Sequence, residues 1–354
     1  MRSESPPRIH DDIPLAQLAS HDISLLTFLL TTCARMKPLQ TSSGELLADR
    51  RADFAEFLFA SQDFGEAAEL MMSALELAPN WSFGWFRLGE FHEAAGAMDP
   101  AAEAWRMALK LDPADRVGAA LKLQLAGQEQ PGMGSTSGFV ETLFDQYASS
   151  FDKALVGKLD YRVPELLLDA IRAQAGDTSE LAIDLGCGTG LMGERLRPFT
   201  RNLEGYDIST EMLRKAAAKK LYDRLQKTDL QTMVYSGLPA DLVVAADVFI
   251  YLGALASVMH LARSMLRPSG LLAFSVERHA GEEEFVLRSS RRYAHSERHV
   301  RTLLEDAGFA VLSLTVEAIR RDRDETLEGL IIVARATPGA AEANLPLPGA
   351  GVLL

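Results

Sequence analysis

The chain has 354 residues, 47% of them hydrophobic, and a formal net charge of −13. That length sets two domains as the expectation. The first 127 residues (eighteen acidic, eleven basic) and the remainder are both acidic, which disfavours a protein that tracks nucleic-acid phosphates. Cys33 and Cys187 lie far apart, so neither a disulfide framework nor a zinc site has its material; a reducing cytoplasm and no bound metal are expected. The first apolar run is ISLLTFLLTTCA, residues 23–34. It is too short to span a bilayer, and Asp11, Asp12 and Asp22 before it are the wrong flank for a signal peptide. It reads as a buried helix within an N-terminal helical segment, residues 1–44, with a membrane-surface or partner helix as the alternative.

Residues 85–113, WFRLGEFHEAAGAMDPAAEAWRMALKLDP, place Trp85, Leu88, Gly89, His92, Ala101, Trp105, Ala108 and Pro113 at spacings that resemble a tetratricopeptide repeat. Small residues fall where two helices must approach closely, and a proline follows the second helix. Thirty-four residues earlier stand Ala55, Leu58, Ala67, Met71, Ala74 and Pro79, although Arg51 occupies the position of Trp85. Two repeats over residues 45–127 are expected, closed by VGAALKLQLAG, residues 117–127, as a capping helix. Such an array either offers a groove to a peptide or protein partner or supports the domain that follows.

QEQPGMGSTSG, residues 128–138, breaks every periodicity and reads as a linker. Beyond it, over residues 139–336, strands and helices alternate, which predicts a mostly parallel sheet covered on both faces. Strands are expected at 181–185, 202–207, 242–247, 270–276, 308–316 and 328–335, with a faint one near LQKTDL. Helices are expected near 140–155, 163–174, 190–197, 210–221, 253–266 and 297–307. RRDRDET, residues 320–326, is too short for a crossover, so the last two strands form an antiparallel hairpin. The fold class is therefore α/β, a Rossmann-like doubly wound sheet with an antiparallel C-terminal hairpin, preceded by an all-α domain. Residues 337–354 read as a flexible tail.

In such sheets ligands bind beyond the carboxyl ends of the strands. There the first strand runs into LAIDLGCGTG, residues 181–190, whose Gly186, Gly188 and Gly190 let a ligand lie on bare main chain. The spacing is G-x-G-x-G, with Leu191 where a dinucleotide fingerprint requires glycine. Asp184, two residues before the first glycine, suits an ammonium group and would repel a pyrophosphate. The second strand ends in Asp207, where a carboxylate can accept both hydroxyls of a ribose.

DLGCGTG, GYDIST, KTDL and DLVVAADVFIYLG, in that order and spacing, resemble the class I S-adenosylmethionine-dependent methyltransferases. More narrowly, the chain is similar to bacterial predicted methyltransferases that carry tetratricopeptide repeats, with FDQYASSFD, LDYRVP, LYDRL and RYAHS as further matches over roughly residues 45–336. The resemblance implies S-adenosylmethionine as cofactor, its methionine end held by Asp184, Gly186 and Gly188 and its ribose by Asp207. Ile208 and Met212 would flank the adenine, Asp229 and Leu230 would meet its amine and edge, and Ala246 and Asp247 would lie under the sulfonium. Tyr147 would close over the cofactor. Cys187 belongs to the same loop as a small residue in a tight turn. For Asp229 an ordinary turn aspartate is the alternative, and for Met212 a core methionine.

Transfer of an activated methyl group demands alignment and exclusion of water, and a base only where the acceptor must lose a proton. Candidates on the acceptor side are Asp247, Tyr251 and His295, the last because it titrates near neutrality; a surface loop histidine is the alternative. Glu277 and Arg278 follow the fifth strand and stand either in the site or as a structural pair. RSSRRYAHSERHVR, residues 288–301, is the most basic window of an acidic domain, either a solvated helix start or a contact for an anionic acceptor. The expected acceptor is a small molecule or a protein rather than nucleic acid, and no membrane partner is expected. Competing readings are a non-catalytic, cofactor-sensing adaptor and a nicotinamide-dependent oxidoreductase, the latter opposed by the glycine spacing.

Overall fold

The computed structural model describes residues 41–129, 135–149, 151–152, 160–174, 178–322 and 325–337. The helix expected at 23–34, the centre of the 128–138 segment and the tail beyond Thr337 lie outside them.

Helix-forming, alanine-rich sequence produces the first elements: α1 (Leu46–Ala60), α2 (Phe64–Leu77), α3 (Ser82–Ala94), α4 (Met98–Leu111) and the short α5 (Ala119–Leu125). The turns between α1 and α2 and between α3 and α4 are only three residues long, so each pair is a helical hairpin. Ala48, Ala52, Ala55, Ala67 and Ala74 are buried within the first hairpin, and Ala101, Ala104 and Ala108 along α4. A β-carbon on Gly89 would fall 2.2 Å from the Trp105 indole nitrogen, so the glycine sets how closely α3 meets α4. Asp115 starts α5: its carboxylate accepts the backbone N–H groups of Ala119 and Ala120, and burial pushes its pKa up to about 6.

The second region begins with α6 (Ser137–Tyr147), capped by Thr136, and α7 (Val163–Arg172). Then come β1 (Ser179–Leu185), α8 (Leu191–Leu196), β2 (Thr200–Asp207), α9 (Thr210–Lys219), β3 (Arg224–Lys227), β4 (Ala240–Ala245) and α10 (Ala256–Met265). They are followed by β5 (Leu266–His279), β6 (Phe285–Leu287), β7 (Tyr293–Ser296), α11 (Glu297–Asp306), β8 (Phe309–Asp322) and β9 (Glu325–Ala336). Strands β3-β2-β1-β4-β5 are parallel in that order, and β9 joins β5 antiparallel with β8 outside it. The order reverses beside β1, and the Rossmann-like sheet with its antiparallel terminal hairpin places a ligand crevice there. Alternate residues feed two cores. Ile183, Leu185, Val243 and Phe274 pack with α10 and α11 on one face; Ala182, Leu203, Val244 and Ala273 pack with α7 and α8 on the other.

Three features depart from expectation. The charged stretch 320–326 is not simply a connection: β8 runs to Asp322 and β9 resumes at Glu325, so Arg320 lies within a strand and is 3% exposed. An unforeseen hairpin, β6 with β7, pairs β7 to Glu277–His279, beyond the point where β4 has ended at Phe274. Strands of three and four residues around a polar turn carry no readable period. The 128–138 segment is also less of a spacer than its composition suggests. The described residues, all beyond Leu39, form one compact unit, and the Ser135 amide donates to the Tyr251 carbonyl.

Candidate functional site

A cavity of roughly 440 Å³ opens over the carboxyl ends of β1 to β4, roofed by α6. Gly186 and Gly188 form its floor. A β-carbon on Gly186 would strike the Val248 side chain at 2.4 Å, whereas at Gly188, with φ +52°, the nearest atom would be 4.0 Å away, so a side chain there would project into free space. Gly190 has another purpose: at φ +91° it begins α8 and leaves room for Tyr222, which also crowds Gly193 and Gly205.

Asp207 supplies charge to this end. Its Oδ2 accepts from the Gly188 amide at 2.8 Å and its Oδ1 from the Ser209 amide at 2.8 Å. Each oxygen thus keeps a lone pair for a further donor. Burial raises its pKa to about 6, with the two amides opposing the rise. Ile208, Asp229, Leu230 and Ala246 line the same space. Asp229 also serves its own turn, accepting the Gln231 amide on Oδ1, while Oδ2 accepts from Ser137 Oγ at 2.6 Å and fixes the start of α6. Tyr147, half exposed at the end of α6, reaches the cavity as well. Cys187 is buried, its amide bound to the Tyr206 carbonyl and its thiol pushed well above the usual range by burial, which suits a tight loop and not a nucleophile.

Three expected positions do not reach the cavity wall. Asp184 is turned away beneath the loop: its Oδ2 accepts from the Tyr222 hydroxyl at 2.7 Å, and burial raises its pKa to about 7. Met212 is 1% exposed in the first turn of α9, whose cap by Ser209 Oγ turns that side chain inward. His295 is neither a surface histidine nor a base in the cavity. It is fully buried on β7, its Nε2 3.0 Å from the Gly253 carbonyl, and burial lowers its pKa to about 4.

The opposite end of the cavity is assembled from distant segments. Asp247, at φ +60°, has its amide bound to Ser275 Oγ and its Oδ2 2.5 Å from Arg320 Nη1; the other terminal nitrogen of Arg320 donates to Glu277. Burial raises the Glu277 pKa against the pull of Arg320. Burial likewise opposes the charge of Arg320, and Asp247 and Glu277 hold it. The alternative of a Glu277–Arg278 pair is not realised, because neighbours on a strand face opposite ways; Arg278 pairs with Glu328. Tyr251, stacked edge-on against Phe144 at 5.3 Å, and the partly buried Tyr161 complete the wall together with Arg291 and Arg292.

Sequence reasoning named neither Arg320, Arg292, Tyr161 nor Tyr222. It also gave no role to the aspartates of FDQYASSFD, although the structure does. Asp145 accepts from Ser209 Oγ at 2.6 Å and Asp152 from Thr189 Oγ1, tying that segment to both loops of the cavity. The Phe-Asp pair recurring at 144–145 and 151–152 was the available signal.

Residues 159–314 match the family model described as a methyltransferase domain. The chain is 33% identical over 147 residues, 38% of its length, to malonyl-[acyl-carrier protein] O-methyltransferase of Halalkalibacterium halodurans, covering 54% of that protein. It is 41% identical over 85 residues, 23% of its length, to human methyltransferase-like protein 27, covering 34% of it. The chain thus spans about half or less of the curated relatives it matches. Among solved structures, magnesium protoporphyrin IX methyltransferase from Synechocystis with bound S-adenosylmethionine superposes with a TM-score of 0.45 at 19% identity, covering 57% of this chain and 97% of the other. Within the described residues no helix is long and apolar enough to cross a membrane. The likeness to a methyltransferase domain over residues 159–314 takes in Gly186, Gly188 and Asp207 of the cavity.

Proposed function

We propose that the chain transfers a methyl group from S-adenosylmethionine to a small-molecule or protein acceptor in the cytoplasm. The observation that supports this most is Asp207, a buried carboxylate anchored by two backbone amides and still able to accept two hydroxyls, beside the open main chain of Gly188. That donor and acceptor set fits a ribose diol, and the G-x-G-x-G spacing with Leu191 where a dinucleotide fingerprint requires glycine speaks against a pyrophosphate.

S-adenosylmethionine supplies a methyl group on a positively charged sulfur. The chain supplies position and dryness. Gly186 and Gly188 offer backbone to the methionine end; Asp207 takes the ribose; Ile208, Asp229 and Leu230 take the adenine; Ala246 flanks the sulfur; Tyr147 covers the open side. Asp184 acts one step removed, by holding Tyr222 and with it the loop. Phe144, Phe151 and Tyr251 keep water from the reacting end. Asp247 and Tyr251 are the groups placed to receive a proton, and His295 is a positioning residue that ties β7 to Gly253.

The N-terminal helices, with their 34-residue spacing, are of the tetratricopeptide kind. Their first role in this reading is support: the Gln124 side chain of α5 accepts from the Tyr293 hydroxyl at 2.8 Å, next to the loop that carries Arg292. Recruitment of a partner by the same array is a second role.

Calorimetric titration with S-adenosylhomocysteine and with NAD tests the reading. Micromolar binding of the first and none of the second is expected. Asp207→Asn should weaken the first by one to two orders of magnitude, the loss of charge-assisted hydrogen bonds at about 1.5–3 kcal/mol. Undiminished affinity in a folded variant removes Asp207 from the site.

A further inference from the structure

The end of the cavity away from Asp207 carries more positive charge than its own carboxylates neutralise. Arg288, Arg292 and Arg320 surround Asp247 and Glu277, and Arg291 adds a fourth guanidinium, poised over the Phe139 ring at 5.6 Å. This excess stands inside a chain whose net charge is −13. Arg320 is committed, both of its terminal nitrogens taken by Asp247 and Glu277. Arg288 lies 3.4 Å from the second Glu277 oxygen and does not line the cavity. Arg292 is different. It lines the cavity, and its hydrogen-bond partner is the hydroxyl of Tyr251; Asp247 and Glu277, already bonded to Arg320, attract its charge without bonding it, so its fork of donors is not matched by a carboxylate of its own. Around it the wall is aromatic and apolar: Phe144, Phe151, Tyr161, Leu252.

On the methyl-transfer reading, we infer that the acceptor is a carboxylate-bearing compound with an apolar body, whose carboxylate Arg292 receives beside Tyr251. A planar guanidinium in a low-dielectric wall binds a carboxylate through two parallel hydrogen bonds, and a neutral amide cannot replace it without leaving charge uncompensated. Arg320 and Asp247 position this wall; Arg292 sets specificity. The basic window at residues 288–301 thereby divides: Arg291 and Arg292 face the cavity, while Arg298 and Arg301 serve the surface of α11, bonded to Glu282 and Glu297.

The test titrates 3-phenylpropionate and its neutral amide, 3-phenylpropanamide, into the full chain, once alone and once saturated with S-adenosylhomocysteine, following ligand signals by NMR. The acid should bind at least tenfold more tightly than the amide. Arg292→Gln should remove that difference while affinity for S-adenosylhomocysteine and the Tm stay as in the parent, and Arg292→Lys should restore part of it. Equal binding of acid and amide, absence of binding by both, or an acid affinity indifferent to Arg292→Gln overturns the inference. Failure of S-adenosylhomocysteine to bind is a separate result, and it strikes the methyl-transfer reading; the acid and amide titrations of the free chain still decide the anion site.

Discussion

At the β1–β3 end of the cavity the floor residues Gly186, Gly188 and Asp207 stand within a few positions of a strand terminus, and Asp207 is held by backbone amides. The β4–β5 end draws Tyr161, Arg292 and Arg320 from three distant segments, and its contacts are between side chains, mostly charged. The first construction is tolerant, since main chain is present whatever the side chains become. The second is more exacting: the buried Glu277 and the partly buried Asp247 share the Arg320 guanidinium, with Arg288 and Arg292 beside them.

The largest expected effect follows from that dependence. Arg320→Met leaves the buried Glu277 and the partly buried Asp247 without their shared hydrogen-bond donor and should cost about 3–5 kcal/mol, read as a fall in the denaturation midpoint; Glu277→Gln in the same chain should return part of it. If Arg320→Met alone leaves the midpoint unmoved, the charged end is not a dependent network. Next, Gly89→Ala brings a β-carbon against Trp105 and should cost roughly 1–3 kcal/mol by overpacking, a change far from either end that calibrates what a plain steric fault does.

The local end is sharpened by pH. Asp207 has its pKa raised to about 6 in the free protein and must be ionised to accept two hydroxyls, so cofactor affinity should be level above pH 7 and weaker below pH 6. By pH 5 the loss is about tenfold, since one pH unit below the pKa leaves about a tenth of the group charged. A flat profile between pH 5 and 7 would detach Asp207 from the ribose. Smallest of all is the effect of His295 on the chemistry. With its pKa near 4 it is neutral throughout the useful range, so His295→Gln should leave the shape of the rate profile from pH 6 to 8 unchanged, whatever it does to stability.

The same contrast explains what could be read from the chain beforehand. Gly186, Gly188 and Asp207 were legible because strand, loop and next strand end are close in sequence, and the geometry of a parallel sheet fixes the rest. Asp184 and Met212 fell at the right spacing too, but spacing does not say which way a side chain turns: Tyr222 claims Asp184, and the Ser209 cap rotates Met212 inward. Arg320 was hidden for a different reason. Seven consecutive polar residues look like a surface loop, and only the pairing of β8 with β9 shows that Arg320, opposite Leu327, lies within a strand and is buried while Arg321 beside it is exposed. The helical region was legible in its small residues, since Gly89 and the buried alanines are required wherever helix axes come close.

The seat of α5 bears on how the chain can be cut. Leu121 of that helix is buried with Phe139 of α6 and Tyr293 of β7, and Gly118 is bare because Phe139 lies where its β-carbon would be. The helical array therefore shares its last hydrophobic layer with the roof and the far wall of the cavity. A fragment starting after residue 128 would carry a raw apolar seam, self-associating and loosened around Arg292, so excision of the half that holds the cavity would discard part of its own interior.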